Sequence, residues 1–253
     1  MTPLRHRLRS GELVVGTMIS EVRNPNVAYL LAQAGFEFLI IDNEHGAYSD
    51  ETVSDIIAAA RGADVAVIVR IPEIRRETIL KPLDSGAAGL LVPQVNTPEE
   101  ATEVVRLAKY PPMGARGVAM RRPHNRYARV NPAEYLQQAN EETFIAVQAE
   151  SIEAIPNLDA IAAVEGVDCV FAGPYDLSVS LGIPGQVDHP QEVEAIDKIL
   201  AACRRHHKIG GILLFDAAIL RTWIDKGMRF VSYSSDISLL ADAAASAVQQ
   251  LKA

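Results

Sequence analysis

The sequence contains few of the features that mark secreted, membrane-embedded or nucleic-acid-binding proteins. It has two cysteines, Cys169 and Cys203, and both fall in apolar or helical patterns. We therefore expect two buried free thiols and a reducing, cytoplasmic location rather than a disulfide. No apolar run reaches the length of a signal-peptide core or a membrane span, so no membrane partner is expected. The formal net charge of −8 provides no basic surface for nucleic acid.

What the sequence does contain is an alternation of short apolar runs with longer amphipathic segments. Eight runs are apolar throughout, which is typical of parallel strands covered on both faces. They occupy residues 13–19, 38–42, 65–70, 89–93, 143–148, 168–173, 210–214 and 229–233. Eight β–α units in a chain of 253 residues predict a (β/α)8 TIM barrel, with a single domain over 1–253.

A doubly wound sheet is the alternative fold. It is disfavoured because residues 17–25, TMISEVRNP, do not form a glycine-rich dinucleotide loop after the first run, and no nucleotide cofactor is expected. Capping patterns set the helix boundaries: Ser49 or Asp50 and Thr97 start helices, and Asp236 starts the last one. The stretch 110–141 is the longest irregular piece and is too long for a simple connection.

Polar residues fall where the predicted strands end. In a barrel of this type, the carboxyl ends of all strands meet at one mouth, where functional groups gather. The residues at these ends are Asp42, Glu44 and His45 after strand two, Arg70 in strand three, Gln94 after strand four, Gln148 and Glu150 at strand five, and Asp176 after strand six. Taken singly, each acid is equally well explained as the cap of the next helix, and His45 as a hydrogen-bonded loop residue. Their coincidence at one face favours a functional site.

The residue types at this mouth suggest a particular chemistry. Two carboxylates, Glu150 and Asp176, suit a hard divalent cation such as Mg²⁺, Mn²⁺ or Co²⁺. Arg70 needs an anionic partner because it ends an apolar strand. A histidine oriented by a nearby aspartate, as in His45 with Asp42, suits proton transfer. Together these groups suit a small 2-oxo acid as the substrate.

No lysine follows a predicted strand. The six lysines are Lys81, Lys109, Lys198, Lys208, Lys226 and Lys252. Because a Schiff-base aldolase needs its lysine at the mouth, the sequence argues for metal-dependent enolate chemistry instead.

Several motifs in this order resemble one enzyme family. They are IDNEHG, VIVRIP, LVPQVNTPEEA, KYPPMGARGV, VQAES, the long segment ending GPYDLSVSLGIPGQVDHP, and a late SSD. They are similar to the HpcH/HpaI aldolases, the class II pyruvate-dependent aldolases related to 4-hydroxy-2-oxoheptanedioate aldolase and 2-dehydro-3-deoxyglucarate aldolase. The resemblance covers nearly the whole chain. It implies reversible cleavage of a 4-hydroxy-2-oxo acid to pyruvate and an aldehyde.

The resemblance also implies roles for individual residues. Glu150 and Asp176 would hold the metal, and Arg70 would stabilise the oxygen charge that develops as the bond breaks. His45 would be the base, with its basicity raised by Asp42 and by Asp84. The pyruvate portion would be held by Arg70, Gln148, Gly173, Pro174, Tyr175 and Asp176. The last helix would pack on a neighbouring subunit of a homo-oligomer, a hexamer built as a dimer of trimers, and Asp84 would act from that neighbour.

The chain departs from the family pattern in one loop and at one residue of the mouth. The loop Arg121–Tyr127 crowds basic residues together, and it is either a solvated loop or subunit contact, or a site for a polar or anionic aldehyde. Tyr175 stands where the family often has alanine, which would narrow the mouth. Leu213 or Leu214 would line the aldehyde side or belong to the core.

Three other functions remain open. The first is decarboxylation of oxaloacetate or a related 2-oxo acid at the same metal site, which would not need His45 as a base. The second is a coenzyme-A ester lyase of the wider superfamily, although these are usually longer and no adenine-binding region is recognisable. The third is a catalytically inactive barrel that serves as a scaffold, which the complete set His45, Arg70, Glu150 and Asp176 argues against.

Overall fold

Eight parallel strands close into a barrel in which each strand pairs with its neighbours in sequence and the last pairs with the first. The computed structural model describes residues 2–252. The strands are β1 (Val14–Ile19), β2 (Phe38–Asp42), β3 (Ala66–Arg70), β4 (Gly89–Val92), β5 (Phe144–Ala149), β6 (Cys169–Ala172), β7 (Ile209–Leu214) and β8 (Phe230–Ser235). The prediction of a (β/α)8 barrel is therefore confirmed.

Eleven α-helices accompany these strands within residues 2–252. They are α1 (Leu4–Arg9), α2 (Val27–Gln33), α3 (Asp50–Gly62), α4 (Arg76–Ser85), α5 (Pro98–Ala108), α6 (Pro132–Glu142), α7 (Leu158–Ala163), α8 (Pro174–Ser180), α9 (Pro190–Arg205), α10 (Ala217–Lys226) and α11 (Asp236–Lys252). In this part of the chain, no helix is both long enough and apolar enough to cross a bilayer.

The local signals place several of these boundaries correctly. Ser49 caps α3 by accepting a hydrogen bond from the Thr52 amide. Thr97 and Glu100 form a reciprocal capping box at the start of α5. The stretch 110–141 differs from the prediction, because it contains a 3₁₀ turn at Pro123–Asn125 and all of α6.

Aromatic rings fill the interior of the barrel. Phe230 stacks on Phe38 with ring centroids 4.3 Å apart and meets Phe144 edge-on at 5.1 Å. Glycines on neighbouring strands make room for these rings: a Cβ at Gly16 would lie 2.6 Å from the Phe38 ring, and one at Gly211 would lie 3.0 Å from the Cys169 sulfur. Large and small residues thus interlock so that the barrel is a packed core with no channel through it.

Helix α1 closes the N-terminal end of the barrel. Leu4 and Leu8 pack into the barrel interior. The Arg5 Nε atom donates to Asp168 Oδ1 at 2.6 Å, and the Asp168 side chain is fully buried. Because the other Asp168 oxygen accepts from the Ile145 amide at 3.1 Å, this ion pair joins α1 to two strands. The mouth at the other end is therefore the open one.

Helix α11 leaves the barrel instead of covering it. Almost all of its residues are exposed, including Leu240 and Leu251, the latter at 87%. Helix α2, on the other side of β1, exposes Tyr29 and Leu30. Apolar side chains of α11 and of α2 thus lie exposed on the same subunit.

Both cysteines are free and buried, as predicted. Cys169 belongs to the barrel interior, and Cys203 packs between α9 and the sheet.

Candidate active site

The C-terminal ends of the strands surround a cavity of about 200 Å³. Its lining includes most of the predicted site residues, although they come from distant parts of the sequence. The lining residues are Met18, His45, Arg70, Leu91, Gln148, Phe171, Ala172, Gly173, Pro174, Tyr175, Asp176, Leu213 and Phe215. None of these lining residues is a lysine.

Arg70 is held in place by Asp42, the residue beside it on the neighbouring strand. Asp42 and Arg70 are register partners at the ends of β2 and β3. The guanidinium donates from Nε to Asp42 Oδ1 at 2.9 Å and from Nη2 to Oδ2 at 2.8 Å. Burial opposes both charges, but this paired contact outweighs it, lowering the pKa of Asp42 and raising that of Arg70. Arg70 is therefore a fixed cation at the mouth.

Asp42 also shapes the loop that carries His45. Its Oδ1 atom accepts hydrogen bonds from the backbone amides of Glu44 and His45 at 3.1 and 3.2 Å. Its carboxylate is thus engaged with Arg70 and the backbone, and it makes no described hydrogen bond to the His45 imidazole. The prediction that Asp42 directly raises the basicity of that ring does not match this geometry, because both oxygens already serve Arg70.

Glu44 is the carboxylate that lies between Arg70 and the His45 ring. Its Oε2 atom lies 3.3 Å from Arg70 Nη1 and 3.9 Å from His45 Nε2. Burial raises the pKa of Glu44, although Arg70 and His45 oppose the shift. The His45 side chain is 69% exposed, so its ring is free to meet a ligand. Nothing in the local sequence distinguishes Glu44 from Asp42 as the neighbour of the His45 ring.

Glu150 is a buried carboxylate that follows the end of β5. It is 2% exposed, and its Oε1 atom accepts from the Gln94 amide at 2.9 Å. Gln94 reaches it from the end of β4 with a left-handed backbone, φ 54°. Burial raises the pKa of Glu150 to about 8; the Gln94 amide opposes the shift, and the charges of Asp176 and Glu44 add to it. Within residues 2–252, no cation forms an ion pair with this carboxylate.

Gln148 and Gly173 complete the surroundings of Glu150. The Gln148 amide nitrogen donates to Glu150 Oε2, while its Oε1 atom is buried and has no partner within residues 2–252. A Cβ at Gly173 would overlap the Glu150 carboxylate and lie 2.7 Å from Gln148 Nε2. Position 173 therefore requires glycine, because β5 and the start of α8 approach so closely here.

Asp176 and Tyr175 extend from the first turn of α8 into the cavity. Pro174 occupies the first position of this helix, where its missing N–H leaves no bond unmade. Tyr175 packs edge-to-face against Phe215 with ring centroids 5.7 Å apart. Phe215 follows β7 and was missed in the sequence, because a single aromatic after an apolar run is indistinguishable from a core residue.

The residues fit a divalent cation. A buried carboxylate, a second carboxylate exposed to the cavity and an orphaned amide oxygen are all hard oxygen donors. Within the described chain, no group of three or more His, Cys, Asp or Glu side chains is arranged to hold a metal. Two protein carboxylates with remaining positions left to water or substrate match that finding.

Asp84 does not lie at the mouth of its own subunit. It is next to the last residue of α4, at the helix end that leads into the start of β4. Its Oδ1 atom accepts from Arg116 Nη2 at 2.7 Å. The predicted assistance to His45 therefore requires a neighbouring subunit, since helices of the barrel end opposite to the mouth.

The basic loop Arg121–Tyr127 also lies at the far end. The Pro123 carbonyl accepts from Arg61, which stands one residue before the end of α3. No residue of the loop lines the mouth. In its own subunit the loop therefore does not reach the mouth, and the hypothesis that it binds a polar or anionic aldehyde stays a prediction. Leu213 does line the cavity, whereas Leu214 belongs to the core between sheet and helices.

The fold and the site together define a class of protein. It is a (β/α)8 enzyme whose mouth sets buried carboxylates beside a fixed arginine and an accessible histidine. Residues 17–243 match the family model described as HpcH/HpaI aldolase/citrate lyase. The chain belongs to this family, and it is an enzyme of the carbon–carbon lyase type.

Relatives of known name agree with this assignment. The chain is 39% identical to a hydroxypyruvate/pyruvate aldolase of Pseudomonas aeruginosa over 237 residues, 93% of this chain and 87% of the relative. It is 38% identical to a 5-keto-4-deoxy-D-glucarate aldolase of Shigella boydii over 224 residues, 88% and 86% of the two chains. A crystal structure of an HpcH/HpaI aldolase from Desulfitobacterium hafniense superposes with a TM-score of 0.96 at 38% identity, covering 100% of this chain and 97% of that one.

Proposed function

We propose that this enzyme is a divalent-metal-dependent aldolase that reversibly cleaves a 4-hydroxy-2-oxo acid to pyruvate, or a close 2-oxo acid, and an aldehyde. One observation carries the proposal: Glu150, a buried carboxylate without an ion-pair partner in residues 2–252, accepts from Gln148, whose amide oxygen is unpartnered and which lines the cavity with Asp176 and Arg70. Buried charge of one sign is costly unless a ligand compensates it. The names of the aldolase relatives support the reaction class.

Glu150 and Asp176 would hold the cation, and Gln148 would take part through its free amide oxygen. A divalent cation bound there would supply a positive charge that stabilises the enolate produced by cleavage. Burial, and to a smaller degree the charge of Asp176, raise the pKa of Glu150, and a cation held between the two carboxylates would offset both effects. Gly173 permits this arrangement because any larger residue would displace Glu150.

Arg70 would bind the 2-oxo acid and stabilise its developing oxygen charge. Its fork is fixed by Asp42, so little reorganisation is needed when the charge appears. The Nη1 atom is the one farthest from that bidentate contact and lies 3.3 Å from Glu44. A bound anionic substrate would share this part of the guanidinium.

His45 would remove the proton of the C4 hydroxyl group as the C3–C4 bond breaks. The exposed ring can reach a ligand in the cavity that it lines. The bond electrons then pass to the enolate of pyruvate, the former C4 carbon becomes the aldehyde, and protonation of the enolate yields pyruvate. Glu44, whose Oε2 atom lies 3.9 Å from the His45 Nε2 atom, would orient the ring, and Asp84 would join it only from a neighbouring subunit.

The active form would be a homo-oligomer, in which α11 of one subunit covers the exposed apolar side chains of α2 on another. The exposed leucines of α11 and the exposed Tyr29 and Leu30 of α2 supply the two complementary surfaces. The resemblance to the family points to a hexamer built as a dimer of trimers. Analytical ultracentrifugation tests this: Leu240→Glu should dissociate the assembly, whereas Gln249→Glu on the same helix should not.

Oxaloacetate-type decarboxylation at the same site is the second candidate. It needs the same stabilisation of an enolate but no base at His45. The observation that favours keeping it is the exposure of that ring, which is not locked into the carboxylate cluster.

The first test is exchange of the methyl protons of pyruvate in D₂O, followed by NMR with added Mg²⁺ or Mn²⁺ and again after chelation. Metal-dependent exchange would support formation of the enolate at this site. Exchange that persists unchanged after complete chelation would contradict the proposed role of the cation. Cleavage of 4-hydroxy-2-oxo acids, assayed with a series of aldehyde products, would then identify the substrate.

A further inference from the structure

A second cavity, of about 260 Å³, lies at the opposite end of the barrel from the mouth. It is lined by residues at the start of β3 and just before β4, which place it at the N-terminal ends of the strands. The rest of its wall consists of residues 2–4, the ends of α3 and α4, the loop between α5 and α6, and α6 itself. Five separate segments therefore meet around it.

Three arginines face this cavity: Arg61, Arg116 and Arg126. Arg116 is fixed, because Asp84 accepts from its Nη2 atom at 2.7 Å and its guanidinium carbon lies 4.6 Å from the centre of the Tyr110 ring. Its side chain is only 3% exposed. Even so, its Nε atom has no hydrogen-bond partner within residues 2–252. A buried guanidinium donor left free at a cavity wall indicates a missing acceptor.

Arg61 and Arg126 are cations without an acidic partner. Neither forms an ion pair with any residue in the described range 2–252. Arg61 donates from Nη1 to the carbonyl of Pro123, and the other N–H groups of its guanidinium can still bind a ligand. Burial, followed by repulsion from Arg126, lowers the pKa of Arg61. An anion between the two would remove that repulsion.

The acidic and imidazole groups of the wall do not fill this need. Glu142 accepts from Gln138 Nε2 at 2.7 Å, and Asp64 lies at the exposed edge of the cavity. His124 is held between the Tyr135 hydroxyl and the Ala119 carbonyl. The guanidinium groups are therefore the donors that remain free to bind a ligand.

The loop that carries Arg126 adopts an unusual backbone. Arg121, Arg126 and Tyr127 all have left-handed backbones, with φ of 55°, 54° and 58°. Such conformations are unfavourable for residues other than glycine, and they cluster where a loop is shaped around a ligand. Here they turn Arg126 toward the cavity, whereas Arg121 and Arg122 do not line it.

We propose that this cavity binds a small oxyanion, the phosphate or carboxylate group of a small molecule, between Arg61, Arg116 and Arg126. The site is separate from the mouth and does not depend on the proposed reaction. Binding would join the α5–α6 loop to α3 and so stabilise the closed end of the barrel. An anion held here would leave the mouth free, because the mouth lies at the other end.

Isothermal titration of the intact protein with inorganic phosphate, and separately with succinate, tests the proposal and distinguishes the two anion types. Arg126→Gln and Arg61→Gln should each weaken it about tenfold, as expected for loss of a charge-assisted hydrogen bond. Arg126 is exposed, so its replacement should leave folding intact.

Arg121→Gln and Arg122→Gln are the matched controls, since they remove the same charge from the same loop without touching the cavity. They should keep the affinity within about twofold of the unaltered protein. The proposal would be overturned by an absence of binding for both anions, or by an equal loss of affinity in the control variants.

Discussion

The two ends of the barrel carry opposite imbalances of charge. Four carboxylates lie near one another at the mouth: Asp42, Glu44, Glu150 and Asp176. Arg70 is the one arginine among the residues that line the mouth cavity. At the closed end, arginines from α1, α3 and the α5–α6 loop face inward. The mouth is thus suited to a cation that can in turn hold an anionic substrate, whereas the closed end is suited to internal ion pairing and to an anion.

The two ends of the barrel also differ in what they contribute to the reaction and to the free energy of unfolding. At the mouth, the buried Glu150 carboxylate forms no ion pair within residues 2–252, which is unfavourable for folding and useful for ligand binding. At the closed end, Asp168 is satisfied by Arg5 and by the Ile145 amide. Changes at the mouth should therefore alter the reaction, and changes at the closed end should alter the free energy of unfolding.

The largest effect is expected for Glu150→Gln. Pyruvate proton exchange should fall by about 10³-fold, because the cation loses its buried carboxylate ligand. Without metal the thermal midpoint should be equal or higher, since burial disfavours the charge that is removed. Stabilisation by Mn²⁺ should disappear. Exchange by NMR and thermal unfolding check this, with exposed Glu153→Gln as the control; normal exchange in Glu150→Gln would contradict the assignment.

At the closed end, Arg5→Ala should lower the free energy of unfolding by about 3 kcal/mol, because it leaves the buried Asp168 carboxylate without its partner. Arg9→Ala is the matched control. The Arg9 guanidinium lies 3.1 Å from the same carboxylate, but the Arg9 side chain is 56% exposed. Its removal should therefore lower the free energy of unfolding by less than about 1 kcal/mol. Urea unfolding measures both, and equal costs would show that burial does not decide the difference.

His45→Ala should reduce retro-aldol cleavage about 10²-fold by removing the base. Metal-dependent decarboxylation of oxaloacetate should be retained, because it requires no proton abstraction by this ring. Steady-state assays of the two reactions check the separation. His124→Ala, at the closed end, should leave both rates unchanged. Equal loss of both reactions in His45→Ala would refute the separate role of the histidine.

The smallest effect is expected at Glu192, in the first turn of α9 on the mouth side. Its side chain is fully buried, neither carboxylate oxygen has a partner in the range 2–252, and burial raises its pKa from 4.5 to about 7. A raised carboxyl pKa means that the folded state favours the protonated form. The penalty of ionisation therefore grows as pH rises from about 4.5 to about 7 and is constant above that.

Glu192→Gln should remove this dependence and be more stable than the unaltered protein above pH 7, by on the order of 2 kcal/mol. The difference should shrink toward pH 4.5. Glu194→Gln, on the exposed side of the same helix, should show no such trend. Chemical unfolding at a series of pH values measures this, and a difference that does not vary with pH would rule out ionisation as its cause.

Much of the fold was predictable because its signals are local. Continuous apolar runs, helix caps such as Thr97, and the start of α11 at Asp236 are each encoded within a few residues. Helix α6 was missed because its polar sequence lacks a strong apolar stripe and it contacts the barrel mainly through one end. Only Asn140 of its residues is fully buried.

For the candidate site too, local sequence predicted some features and tertiary packing decided the others. The sequence alone placed His45, Arg70, Gln148, Glu150 and Asp176 at one mouth, because strand ends in a parallel barrel must converge. It did not determine which side chains pair there or at the far end. Asp42 serves Arg70, and Asp84 serves Arg116.

Those pairings depend on distances between residues up to 32 positions apart, and cavities and burial depend on contacts among many elements at once. Only the tertiary structure could therefore decide the charge balance of the two ends. Local sequence determines which residues lie at the end of a strand, whereas tertiary packing determines the partners and the burial of each side chain there.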